Sequence, residues 1–176
     1  MYSNGGASGS SYEPLNLTDP TQMAAPNPAM PLDGIMHTHI LGSPSIFSMT
    51  DLAAIYRTYD RRQMMDPNTF TITVFTDSGV DYAIKIENLA QFLNFGNIAL
   101  VDDDAVRLFE TKFYNSGLGH YDIDATKSIA SNEQNFLRLL KERHTGLTMF
   151  KHDRTQNTWQ KIGLDANNSP TFVPCP

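Results

Sequence analysis

The sequence predicts an α/β fold of the α+β kind, a mostly antiparallel sheet flanked by helices, and three features predict it. Thr69 to Thr76 (TFTITVFT) is β-branched and aromatic throughout, and across the turn Asp77-Ser78-Gly79 it meets an alternating partner, Val80 to Ile86. Leu147 to Lys151 and Thr158 to Leu164 read as a second strand pair. Around these lie stretches whose apolar residues recur three and four positions apart, the period of a helix with one buried face.

Taken in order, Met1 to about Leu32 is rich in Gly, Ser, Asn, Ala and Pro and offers few large side chains to bury. Burial there cannot offset the entropy of ordering, so residues 1–32 are expected to be weakly ordered, with at most a short edge strand from Tyr12 to Leu17. Asp33-Gly34 is a turn, and Ile35 to Leu41 reads as a strand carrying His37 and His39. Gly42-Ser43-Pro44-Ser45 breaks it. Ser48 opens a helix to about Arg62, with Leu52, Ile55, Tyr56 and Tyr59 on its apolar stripe and Arg57, Asp60 and Arg61 outside.

The first hairpin follows, and then helices over Glu87 to Asn94 and Asp103 to Asn115. The acidic run Asp102-Asp103-Asp104 suits the positive end of the second helix dipole. A further helix spans Ser131 to Arg143, stopped by Gly146. The ordered domain is expected over residues 33–166, with 167–176 as a tail. Phe70, Phe75, Phe92, Phe109 and Trp159 are expected in the core, and His120, His144 and His152 in loops or at a helix end.

Composition narrows the function classes. At 176 residues the chain fits one domain and is too short for a (β/α)8 barrel of roughly 250. A net charge of −6 argues against nucleic acid and anionic membranes as partners. The single cysteine, Cys175, excludes an intrachain disulfide and a cysteine zinc site, so any metal must sit on His, Asp or Glu. The chain lacks a long apolar run and the basic-then-apolar order of a secretory leader, as expected of a soluble, cytoplasmic protein, although the compartment itself is not encoded.

On a strand, residues i and i+2 share a face, so His37 and His39 can present two imidazoles to one point. Asp51, in the first turn of the next helix, can reach back toward them, giving three N/O ligands and an open fourth position for water, the pattern of catalytic zinc. Ser48 would stand beside that water as an oxyanion donor. A simpler account also fits: Ser48 and Asp51 are spaced as a capping box, and a pair of histidines can be incidental. The two accounts are compatible, because a serine can cap with a lone pair and donate its proton elsewhere.

His37-Thr38-His39, eight intervening residues and then Ser48-Met49-Thr50-Asp51 resemble the JAMM motif of the JAB/MPN metallopeptidases. The longer run from Asp33 to His39 with Phe47-Ser48 is also similar to Bacteroidetes-type proteins that carry this motif near their C-termini. The resemblance covers about Asp33 to Tyr59, with Ile40 in place of the family's proline and one residue more before the serine. It implies a cytidine-deaminase-like sandwich, Zn2+ held by His37, His39 and Asp51, Ser48 as oxyanion donor, and hydrolysis of peptide or isopeptide bonds in a peptide or protein substrate. It also implies an upstream general-base glutamate, and Glu13 is the only glutamate before His37. Glu13 can serve, the base can lie outside this sequence, or the domain can bind metal without turnover, as an inactive JAMM-like protein-binding or structural module. An amidohydrolase or PHP-type hydrolase also carries HxH on its first strand, but it needs a barrel and further ligands on later strands.

Overall fold

The computed structural model describes residues 2–6, 9–13, 31–40, 42–114 and 120–175, with side chains from residue 31 onward. Its strands are β1 (Tyr2–Gly6), β2 (Gly9–Glu13), β3 (Gly34–His39), β4 (Thr71–Thr76), β5 (Asp81–Ile86), β6 (Leu147–Asp153), β7 (Thr158–Leu164) and β8 (Pro170–Pro174). They form one sheet in the order β2-β1-β3-β4-β5-β6-β7-β8, whose larger part is the six strands β3 to β8. The helices are α1 (Met49–Asp60), α2 (Leu89–Ala99), α3 (Asp103–Phe109) and α4 (Ile129–Glu142), and a π-helical turn, Glu110–Tyr114, follows α3. The architecture is therefore mixed α/β with a mostly antiparallel sheet, as the sequence predicts.

The exception to antiparallel pairing is β3 with β4, which run parallel because α1 carries the chain back between them. In open sheets with such a crossover, functional groups gather where strand carboxyl ends meet helix amino ends. Here that place lies between His39 at the end of β3 and Met49 at the start of α1. Ile35, Ile72, Val74, Tyr82, Ile84, Met149 and Ile162 come from alternate positions of the strands and join Leu52, Ile55, Phe92, Phe136 and Leu140 of the helices in a single core. The tyrosine at 56 packs edge-on against Phe92, where Gly96 leaves no room for a Cβ. Among the described residues no helix is long and apolar enough to cross a membrane.

Several elements differ from the sequence expectation. Strands β1 and β2 form within the stretch expected to be irregular; Tyr12 and Glu13 close β2, and the rest of the expected edge strand, from Pro14 on, lies outside the described residues. The expected tail contains β8, paired antiparallel with β7; its bounding prolines, Pro170 and Pro174, are tolerated because an edge strand need not donate on both sides. The helix expected over Asp103 to Asn115 ends at Phe109 and continues as the π turn; Asn115 lies outside the described residues. The helix expected to stop at Asn94 runs on to Ala99.

The open face of the sheet explains the misplaced aromatics. Phe75 is exposed, and Trp159 stacks on His152 with ring centroids 4.9 Å apart instead of entering the core. His152 is likewise no turn residue: it sits on β6 opposite Asp81, with Nδ1 3.2 Å from the Asp81 carboxylate. Buried Asp81 also accepts from Arg154 Nε at 2.9 Å and from Arg154 Nη2.

The Arg154 guanidinium, against the opposing effect of burial and with help from His152, holds the Asp81 carboxyl below its ordinary pKa. A depressed folded-state pKa contributes stability that is present above the unfolded value of about 3.9 and is lost as pH falls through the folded value. Thermal melts between pH 7 and pH 2 are therefore expected to show stability falling below about pH 4, with a shallower acid arm for Asp81→Asn. An unchanged acid arm in that variant would count against the assignment.

Candidate metal centre

The site begins with local chemistry at the start of α1. Ser48 is the N-cap: its Oγ accepts from the Asp51 amide at 3.2 Å, and its own amide donates to Asp51 Oδ2 at 2.6 Å, a reciprocal capping box. The Ser48 hydroxyl also donates to Oδ2, at 2.9 Å. This leaves Oδ1 as the carboxylate oxygen that no backbone or hydroxyl group of the cap engages.

Opposite that carboxylate stand the two imidazoles of β3. His37 Nε2 lies 2.9 Å from Asp51 Oδ1, His39 Nε2 lies 3.3 Å from Oδ2, and the two Nε2 atoms are 3.1 Å apart. Asp51 is 2% exposed. The expectation that the strand face and the helix start would converge is met: these three residues could hold a metal ion, and among the described residues no fourth His, Cys, Asp or Glu joins them.

Proton positions follow from the partners. The His39 Nδ1 lies 2.9 Å from the Pro44 carbonyl, which can only accept, so Nδ1 carries the proton and Nε2 presents a lone pair in the neutral ring. Orientation of a histidine by a carbonyl behind it is the usual support for a metal ligand. His37 Nδ1 is buried without a hydrogen-bond partner.

Burial alone would lower the His39 pKa, but its contacts with Asp51 and the Pro44 carbonyl raise it above the ordinary value. Burial alone would raise the Asp51 pKa, and its bonds to His37 and His39 outweigh that and hold it far below the ordinary carboxylate range. A cation bound between the two Nε2 atoms, 3.1 Å apart, requires both to be free of protons, so metal binding there competes with protonation.

The donor set fits a small borderline cation. Nitrogen and oxygen ligands at about 2.0–2.2 Å, arranged tetrahedrally, sit about 3.3–3.6 Å apart. His37 Nε2 to Asp51 Oδ1 at 2.9 Å and Nε2 to Nε2 at 3.1 Å fall short of this by only a few tenths of an ångström. Two imidazoles and a carboxylate suit zinc and other first-row divalent ions better than magnesium or calcium, which favour all-oxygen shells.

No family model, curated protein or solved structure matches the chain.

The remaining expected residues fall as follows. Ser48 is at the site, with its proton directed to Asp51 Oδ2. Glu13 ends β2, opposite Tyr2 of β1, which in turn lies opposite Ile35 of β3. Its backbone is thus two strand spacings, about 10 Å, from β3. His120 and His144 belong to other regions: His120 is exposed near Glu142, and His144 follows the C-cap of α4 with a positive φ of 48°.

Sequence reasoning missed two contributors. The Pro44 carbonyl that orients His39 has no side-chain signature. The buried phenol of Tyr114 donates to the Phe47 carbonyl from 67 residues away, a distance across which no local pattern operates. Burial, with the charges of Asp51 and Glu110, pushes the Tyr114 pKa well above the ordinary phenol value, so its hydroxyl remains a donor.

Proposed function

We propose that the chain is a zinc-dependent hydrolase of peptide or isopeptide bonds, of the JAMM kind. The observation that carries this reading is the convergence of His37, His39 and Asp51 with no fourth protein ligand among the described residues, an arrangement suited to a cation with an open position. Zinc held there would supply a Lewis acid that polarises a carbonyl and makes hydroxide available near neutrality.

The chain's own groups set the rest. His39, oriented by Pro44, and His37 present Nε2 lone pairs, and Asp51 supplies negative charge through Oδ1 while Ser48 holds Oδ2. For Ser48 to serve as oxyanion donor, its hydroxyl must rotate from Asp51 Oδ2 toward the substrate, keeping its lone-pair bond to the Asp51 amide. Glu13 is the proposed general base within this sequence. A peptide or protein substrate is part of the same reading.

A second reading, a JAMM-like module that binds metal or partner proteins without turnover, is favoured by one observation. Glu13 is separated from β3 by the whole of β1. A positioned base contributes typically 10²–10⁴-fold, so its loss alone would leave the site nearly silent.

Metal analysis of the purified protein, with turnover of quenched peptides and isopeptide-linked conjugates, tests both readings. About one zinc per chain is expected, lost in His39→Ala, and turnover is expected to fall about a hundredfold or more in Glu13→Ala. Absence of stoichiometric metal refutes the zinc site. Stoichiometric zinc without turnover selects the second reading.

A further inference from the structure

We infer that Tyr114 is a positioning residue for the metal site, fixing the Asp51 carboxylate through the peptide unit that joins Phe47 to Ser48. The inference rests on the reading that His37, His39 and Asp51 bind a metal.

The carbonyl of Phe47 and the amide N–H of Ser48 are two ends of one planar group that moves as a unit. The phenol of Tyr114 donates to the carbonyl end, and the N–H end donates to Asp51 Oδ2 at 2.6 Å. Holding the oxygen therefore sets the direction of the N–H, and the N–H sets the rotation of the carboxylate that aims Oδ1 at His37. A donor on the carbonyl also polarises the amide and strengthens its own hydrogen bond.

The lever is anchored at both ends. Phe47 is fully buried, its ring 5.8 Å from that of Phe136 on α4. Tyr114 is 1% exposed and ends the π turn Glu110–Tyr114, whose strands of backbone are tied by Tyr121 N to Phe113 O at 2.7 Å and Ile123 N to Tyr114 O at 2.8 Å. Single π turns of this kind re-aim one side chain out of the regular helical pattern and recur at functional sites. Here a regular α-helix through residue 114 would place the phenol on a different bearing.

Zinc affinity, measured by competition with a chromophoric chelator, and cobalt affinity, measured by its visible absorption, test the assignment on the whole chain. Tyr114→Phe keeps the ring and removes the donor; it is expected to weaken both metals about 10–100-fold while the metal-free protein still melts cooperatively. Tyr56→Phe removes another buried phenol, bonded to Asn97 from the far part of α1, and is expected to leave affinity within about twofold.

Equal affinity in Tyr114→Phe and the unmodified chain overturns the inference, as does a lowered melting temperature with affinity unchanged. Failure of the unmodified chain to bind either metal refutes the metal site itself, a separate outcome. If Tyr114→Phe does not fold, NMR of the unmodified chain decides: a slowly exchanging Tyr114 hydroxyl proton is expected, and a freely exchanging one overturns the assignment.

Discussion

Asp51→Ala is expected to abolish measurable zinc binding and to lower the melting temperature by about 2–8 °C. The first effect follows from ligand arithmetic. Structural zinc sites bind with about 10–16 kcal/mol spread over their ligands, so losing one of three protein ligands costs roughly 3–5 kcal/mol, a factor of about 10²–10³ or more. The second follows from the cap. Asp51 receives the Ser48 amide and hydroxyl, and losing a capping interaction costs about 1–2 kcal/mol. Each kcal/mol moves the melting temperature of a domain this size by about 2–4 °C.

The companion Asp51→Asn separates the two roles, because an amide oxygen can still accept from the Ser48 amide but carries no charge for a cation. Stability close to that of the unmodified chain, with metal binding strongly reduced, is expected. If metal content is the same in all three proteins, the capping box is the whole explanation of Ser48 and Asp51.

Gly146→Ala is expected to destabilise the fold by about 4 kcal/mol and to lower the melting temperature by about 10 °C. Gly146 has φ +68°, where a side chain costs about 1–2 kcal/mol. A Cβ there would also lie 2.2 Å from the Asn88 carbonyl oxygen and 2.6 Å from the Phe92 amide nitrogen. Both are backbone atoms at the start of α2, so relief requires moving the helix.

That movement pulls on the bonds by which the Glu87 and Asn88 amides donate to the Gly146 carbonyl, at 2.8 and 2.9 Å. Overpacking of this kind adds about 1–3 kcal/mol, and a weakened hydrogen bond about 1 more. Gly79→Ala is the control: its φ is +87°, but a Cβ there meets nothing within 4 Å, so only the backbone term of about 1–2 kcal/mol applies. Thermal melts of the two variants measure the difference directly, and equal losses would contradict the clash argument.

Much of the fold was legible because it is written in short-range patterns. The β-branched run through Val74 and the alternation through Ile84 specify a hairpin without help from elsewhere, and both strands formed there. Ser48 with Asp51 specifies a helix start by local hydrogen bonding alone, and α1 begins at Met49. His37 and His39 share a face because a strand repeats every two residues.

The misreadings have a common cause in tertiary context. Phe75 and Trp159 look like core residues in one dimension, but the helices cover the other face of the sheet, and only the packing decides which face is covered. Strand β8 has three residues, Thr171, Phe172 and Val173, between prolines, too short a pattern to register until β7 offers an edge to pair with. The π turn packs against a distant helix end: the Arg143 guanidinium lies 5.9 Å from the Phe109 ring centroid and 3.9 Å from that of Phe113.

By itself, then, the sequence determined the types of the central elements from β3 to β7, the mostly antiparallel character of the sheet, the shared face of the two histidines and the cap at Ser48, since each depends on residues within a few positions of one another. Tertiary structure decided whether those parts meet. The parallel pairing of β3 with β4 places α1 so that Asp51 lies 2.9 Å from His37, the Pro44 carbonyl orients His39, and Tyr114 arrives from a distant turn to hold the connecting peptide. These are contacts between segments far apart in the chain, fixed by the packing of one shared core and not by any local periodicity.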